Sequence, residues 1–322
     1  MNLSEMSWGI NLWFDLWAVG IASASFMAAF VINKFGGSKQ ANLFRLAVYS
    51  SIVFALIGVT LLLLHLGHIL WFWHMFIIVR PDSVLSLGGW ILSLWLMVSG
   101  IMAVIWIAKF FSNRMKDEGN KAVCVELCDK LTSFLSWAGF FLSILLVSYG
   151  GVLIATTSQP LWADTLLVPS LFIGSAMCTG LGWLVLASFI ANWATGVKAF
   201  GGILNVLFGS SDWKISSDII RTLSRALLVT LAVTLVILAA FMAWLAVSAP
   251  DSFAVLVSGE MAVYFWAGLL GFGLLLPFIL LLNTWKRGMA TTGAAAIVAA
   301  SSFIALAGGL ILRAVILIGG QL

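Results

Sequence analysis

The sequence predicts an all-α integral membrane protein of about eight transmembrane helices. Three observations predict it: an apolar composition, eight long apolar stretches, and a one-sided distribution of Lys and Arg. Of the 322 residues, 62% are hydrophobic and only 9% charged, against roughly 25% charged in soluble domains. Such a chain cannot cover a globular surface with polar groups, so its outer face meets lipid. A helix needs about 20 apolar residues to cross the hydrocarbon core, and a chain of this length allows eight crossings with no room for a soluble domain. Residues 1–322 are therefore expected to be one polytopic membrane domain. Helix count divides it into two four-helix bundles near Gln159 and Pro160, covering 1–158 and 159–322.

The apolar stretches fall at 12–33, 46–72, 86–111, 132–156, 167–193, 222–247, 260–283 and 291–317. In lipid every backbone polar group must be satisfied within its own segment, so continuous runs of this length are helices. A β-barrel would show short alternating segments. The first span follows a segment with Glu5 but no Lys or Arg. A secretory signal needs a basic start and a small-residue cleavage site, so this span is read as retained. The second span ends in HLGHILWFWHMF, which holds all three histidines of the chain, His65, His68 and His74. The third opens on SLGGW and the fourth closes on SYGG; Gln159 and Pro160 precede the fifth. Between the fifth and sixth, residues 195–220 are Gly-rich and moderately polar, suited equally to a short interfacial helix around Phe200 to Phe208 or to a plain loop. The seventh span carries Pro277, the one proline deep in a span, and the eighth carries Arg313.

Orientation follows from the basic residues. The connections after spans one, three, five and seven hold 14 of the 16 Lys and Arg; the opposite connections hold only Arg80, and Arg313 lies inside the last span. The positive-inside rule then puts the basic connections in the cytoplasm and both termini outside. The same placement accounts for the net charge of +4 without nucleic acid. Cys124, Cys128 and Cys178 form no disulfide framework or metal-ligand set, and no metal is expected.

Depth brings several polar side chains to one level. Asp15 lies 19 residues before Lys34, His65 lies 20 after Arg45, and Tyr149 lies 19 after Lys130. At about 1.5 Å per residue, each stands about 28–30 Å from its cytoplasmic anchor. Arg313, about 20 residues into the last span at the same rise, reaches the same level near the outer boundary. Intramembrane ionisable groups are candidates for function, although Tyr and Arg at this depth also suit an interface. His65 and His68 share a helix face at i, i+3 spacing and suit proton relay, with Trp71, Phe72 and Trp73 beside them. Such a layer suits a quinone headgroup, whose two carbonyl oxygens need donors such as His, Tyr or Arg and whose ring needs an aromatic slot. A bis-His haem does not fit, because all three histidines come from one short stretch; His–Met ligation is left open by the 11 methionines.

The segment LLLLHLGHILWFWHMFIIVRPDSVLSLGGWILSLW, the element SYGGVLIATTSQPLW, the ending GGLILRAVILIGGQ and the opening WGINLWFDLWAVGIASASF together resemble the membrane subunits of the polysulfide reductase (NrfD/PsrC) family. That family sits in the wider group that includes the dimethyl sulfoxide reductase anchor. The matching features are an Asp-Leu-Gly-Arg motif and an aromatic pair at the end of the second span, and a Ser-x-Gly-x-Trp element opening the third. A Tyr-x-Gly element before a loop with Pro-x-Trp and a single Arg in the last span complete them. His65 and His68 stand where the family has its acidic residue and its Arg; the dimethyl sulfoxide reductase anchors also carry His-Leu-Gly there.

The resemblance implies a quinone-binding anchor of a respiratory oxidoreductase in the cytoplasmic membrane, without haem or iron–sulfur cluster of its own. Its menaquinone or ubiquinone site lies toward the periplasmic side. There it docks a four-cluster ferredoxin-like iron–sulfur subunit, in some assemblies alongside a molybdopterin-type catalytic subunit. By carry-over His65 is the proton-exchanging ligand and Tyr149 a headgroup donor. His68, Arg313 and Trp71 support them, and Asp15 joins on depth alone. The loop with Pro160, Trp162 and Asp164 is expected to help dock the partner. The other classes considered are a structural anchor without quinone turnover and a secondary transporter, which would show inverted repeats and broken helices near the midplane.

Overall fold

The computed structural model describes residues 9–36, 40–65, 74, 80, 82–112, 118–157, 159, 161–162, 165–195, 206–208, 214–287 and 292–322. Among these the chain is helical throughout. The helices are α1 (Ile10–Phe35), α2 (Ala41–His65), α3 (Val84–Ser112), α4 (Glu118–Ala155), α5 (Leu167–Ala194), α6 (Ser217–Ser248) and α7 (Pro250–Val257). A π-helical stretch (Tyr264–Leu275) follows, running directly into α8 (Leu276–Arg287), and α9 (Thr292–Gly319) is last. Eight of these segments, the π stretch and α8 counting as one, are long and apolar enough to cross a membrane. The chain is a multi-pass membrane protein. Each expected span has its helix, while the end of the second span, 66–72, falls outside the described residues.

Two central helices organise the packing. About 78% of the most apolar stretch of α1 and 67% of that of α5 is buried inside the protein, against 28–44% in the other six spans. α1 packs on α2 and α4, and α3 bridges α2 and α4, closing one ring of four helices. α5 packs on α6 and α9, and the seventh span bridges those two, closing a second ring. The rings meet where α1 lies against α5.

Small residues permit that contact. With no hydrophobic drive between helices in lipid, association depends on close backbone approach. A Cβ at Gly180 would stand 2.6 Å from the Cβ of Ala24 and 2.8 Å from the amide nitrogen of Ser25, so only glycine lets α5 cross α1 there. The buried hydroxyls along these helices turn back on their own carbonyls, Ser23 to Val19 at 2.7 Å, Ser188 to Leu184 at 2.6 Å and Ser302 to Val298 at 2.8 Å, which removes the cost of an unpaired donor. Between helices, Trp17 donates to the Leu306 carbonyl at 2.9 Å and Trp95 to the Ser143 hydroxyl at 2.7 Å.

Two features escaped the sequence. The short α7 starts on Pro250 at its first turn, a position where the missing N–H costs nothing. The π-helical Tyr264–Leu275 is unusually long for a form that mostly occurs as a single-turn bulge. Its Gly273 meets Gly308 of α9 backbone to backbone: a Cβ at Gly308 would lie 2.5 Å from the Cα of Gly273.

The two ends of the bundle differ. At the end with the basic connections, Arg45 lies over the Trp106 ring at 5.6 Å and donates to the Phe208 carbonyl, and Tyr49 donates to the Leu207 carbonyl at 3.0 Å. Asn192 exchanges two 2.9 Å bonds with the backbone of Ile215. These contacts pin the connection between α5 and α6. Of the stretch around Phe200 to Phe208, read equally as a short helix or a plain loop, the described part, 206–208, is helical, and the rest lies outside the described residues. At the opposite end, Leu161 and Trp162, α7 and the end of α9 come together at Gly319 and Gly320. Trp162 is fully buried, its ring lying on Gly320. The Trp162 indole thus secures the end of α9 and is not exposed for the docking expected of that loop. Pro160 and Asp164 lie outside the described residues.

Candidate functional site

Near the end that carries both termini, a cavity opens among α1, α2, α3, α4, α5 and α9. Its polar lining is Asp15, Tyr149 and Arg313, and its apolar walls include Leu62, Leu92, Leu146 and Phe172. It is open at its mouth, and the free space between its walls is about 30 Å³, room for about two water molecules.

Each polar group reaches the cavity over a glycine of a neighbouring helix. The Tyr149 ring of α4 lies on Gly88 of α3, where a Cβ would fall 2.6 Å from Cδ2 and still closer to Cε2 and Cζ. The Asp15 carboxylate of α1 lies on Gly58 of α2, with Oδ1 2.9 Å from the place a Cβ would take. The Arg313 guanidinium of α9 crosses onto Gly20 of α1, where a Cβ would stand 2.7 Å from Nη2. Glycine at these positions is a requirement of space. Sequence reasoning assigned none of the three to the site, although Gly88 belongs to the SLGGW element.

Arg313 is 1% exposed. Its Nη1 donates to the Gly309 carbonyl at 2.7 Å and to the Ser175 hydroxyl at 3.1 Å, and its guanidinium carbon stands 5.6 Å from the Phe172 ring centre. These contacts fix the group and leave Nε without a partner. Asp15 is 6% exposed, and its Oδ1 also lacks any hydrogen bond. Buried polar atoms are nearly always bonded, and intramembrane ionisable residues are expensive. Two orphaned polar atoms on residues lining one cavity leave hydrogen-bonding capacity there for water or a polar ligand.

Of the residues singled out by depth, Asp15, Tyr149 and Arg313 line this cavity together. α2 ends at His65, one turn beyond the cavity-lining Leu62, but the His65 side chain lies outside the described residues, as do His68 and Trp71. Sequence reasoning missed Ser175, which holds Arg313, and Phe172, whose ring faces it. Both read as ordinary residues of an apolar span; only the approach of α9 to α5 marks them.

Comparison with known proteins agrees over the whole length. The family model for polysulphide reductase, NrfD, matches residues 2–322. A protein NrfD homolog of Haemophilus influenzae is 26% identical over 290 residues, 85% of this chain and 83% of its own. A polysulfide reductase chain of Wolinella succinogenes is 26% identical over 328 residues, 99% of this chain and 95% of its own. A selenate reductase subunit of Mesobacillus selenatarsenatis is 28% identical over 104 residues, 32% of this chain and 24% of its own.

Proposed function

The chain belongs to the NrfD polysulphide reductase family, and from that premise we propose that it is the quinone-reactive membrane subunit of a multi-subunit reductase. It exchanges electrons between menaquinone or ubiquinone and an extracytoplasmic iron–sulfur subunit. The carrying observation is the cavity that gathers Asp15, Tyr149 and Arg313 between apolar walls, with one carboxylate oxygen and one guanidinium nitrogen unpartnered. Two of the relatives are themselves components of larger reductases, one for polysulfide and one for selenate, which supports a place in a reductase assembly.

A bound quinone supplies two-electron, two-proton redox chemistry at its carbonyl oxygens. The residues fit such a headgroup. Tyr149, seated on Gly88, offers a hydroxyl donor at a fixed point. Arg313, tied to Ser175 and Gly309, holds a positive charge in place without depending on the ligand. Asp15 takes up and releases a proton, and His65 at the end of α2 does the same by family carry-over, with His68 and Trp71 supporting it. Leu62, Leu92 and Leu146 exclude water from around the ring. Among the connections at this end only Arg80 is basic, which supports a periplasmic cavity by the positive-inside rule, where the iron–sulfur partner docks.

The test is purification of the intact complex from native membranes, with identification of its subunits, extraction of bound quinone and assay of quinol-linked turnover. An iron–sulfur subunit, a stoichiometric quinone and a large loss of turnover in Tyr149→Phe are expected. A complex without quinone and insensitive to quinone-site inhibitors would identify a structural anchor instead.

A further inference from the structure

At the opposite end of the molecule, where α6, α8 and α9 meet, a second cleft is lined by Ser224, Arg225, Leu228, Leu281, Thr284, Trp285 and Val298. We infer that this cleft marks a binding site for an anionic phospholipid of the leaflet on the basic side, Arg225 holding the headgroup phosphate and the acyl chains running along the exposed apolar stripe of Val229, Val233 and Val236 beneath it on α6.

The floor and the rim differ in kind. Leu228, Leu281 and Val298 are buried, as are Ser224 and Thr284. Those two hydroxyls spend their protons on their own helices, Ser224 to the Ile220 carbonyl at 2.7 Å and Thr284 to the Leu280 carbonyl at 2.8 Å. The floor therefore presents an apolar surface with two acceptor oxygens. At the rim, Arg225 is exposed and forms neither an ion pair nor a hydrogen bond with any described residue. Trp285 is 56% exposed beside it, an amphipathic ring of the kind that settles at headgroup level.

Local charge makes an anion the fitting occupant. α6 opens on the Ser216 cap, and its first turns carry Arg221 and Arg225 against one acid, Asp218. Arg221 lies one turn before Arg225 and Leu228 and Val229 one turn after it, so α6 itself offers Arg225 no compensation. Lys286 adds an exposed cation at the end of α8. Each Lys or Arg near an anionic membrane surface adds to lipid attraction. A soluble anion would use the arginine but not the valine stripe; a zwitterionic lipid would use the stripe but not the net charge. Only a lipid with a net negative headgroup uses both.

Delipidated full-length protein would be reloaded with phosphatidylglycerol, phosphatidylethanolamine or inorganic phosphate, and bound lipid counted by native mass spectrometry alongside thermal unfolding. Phosphatidylglycerol should bind and raise the melting temperature, and the other two should not. Arg225→Gln should weaken phosphatidylglycerol binding at least about tenfold, the equivalent of one lost charge-assisted bond. Val229→Asn, which breaks the apolar stripe and keeps Arg225, should also weaken it. Equal binding of both lipids, or retention in both variants, overturns the proposal. Competition by inorganic phosphate at equal concentration would do so too, by revealing a plain anion site.

Discussion

Gly88→Ala tests the site most directly, because it adds one methyl group beneath Tyr149 and removes no ionisable group. An ideal Cβ at Gly88 lies 2.6 Å from Tyr149 Cδ2, so that atom must retreat by at least 3.4 − 2.6 = 0.8 Å to reach ordinary contact, and the hydroxyl end of the ring must retreat further. Displacing a positioned group by about 1 Å costs on the order of 100-fold in rate, whereas overpacking one methyl costs about 1–3 kcal/mol of stability. Quinol-linked turnover of the assembled complex should therefore fall about 100-fold, toward the level of Tyr149→Phe, while the complex still accumulates. Gly100→Ala is the control, since a Cβ there meets nothing within 4 Å. Wild-type turnover in an assembled Gly88→Ala complex would refute the claim that the seat of the tyrosine ring matters to the reaction.

Three further outcomes follow from the same geometry. Asp15→Asn keeps the shape of the side chain on Gly58 but removes a buried charge, so thermal stability should hold or rise while turnover falls by about 10²–10⁴, the usual worth of a general acid–base group. Gly308→Ala drives a methyl into the backbone of Gly273, which cannot swing aside; it should lower stability by about 1–3 kcal/mol, read as a drop in the melting temperature in detergent. A periplasm-active reporter fused after Leu322 should be active and a cytoplasm-active one silent; the reverse pattern would overturn the orientation and the side assigned to the quinone.

The spans were legible because apolar length is a property of the sequence alone, and helix is the fold that lipid permits such segments. Depth was legible too, since rise per residue converts a distance from a lysine into a height: that arithmetic singled out Asp15, Tyr149 and Arg313, which line one cavity. Azimuth was not legible. Nothing in the sequence says that Gly20, Gly58 and Gly88 lie under those three side chains, or that Ser175 meets Arg313, because these pairings depend on how helices far apart in the chain are rotated against each other. The seat of Trp162 was hidden for a related reason: it stands in a short connection, yet Gly320 leaves room for its ring inside the fold.

The π-helical stretch in the seventh span bears on how this family can vary. Each of its turns closes five residues on instead of four, so Tyr264–Leu275 stores more chain than an α-helix would over the same thickness of bilayer. A relative lacking a residue or two here can wind the segment as ordinary α-helix and still reach both headgroup layers, with Trp285 at one shore and Met261 near the other unmoved. Insertions and deletions, normally confined to loops, thus have a harbour inside a transmembrane span. Alignments of distant members should open their gaps there before disturbing the glycine seats of the first ring.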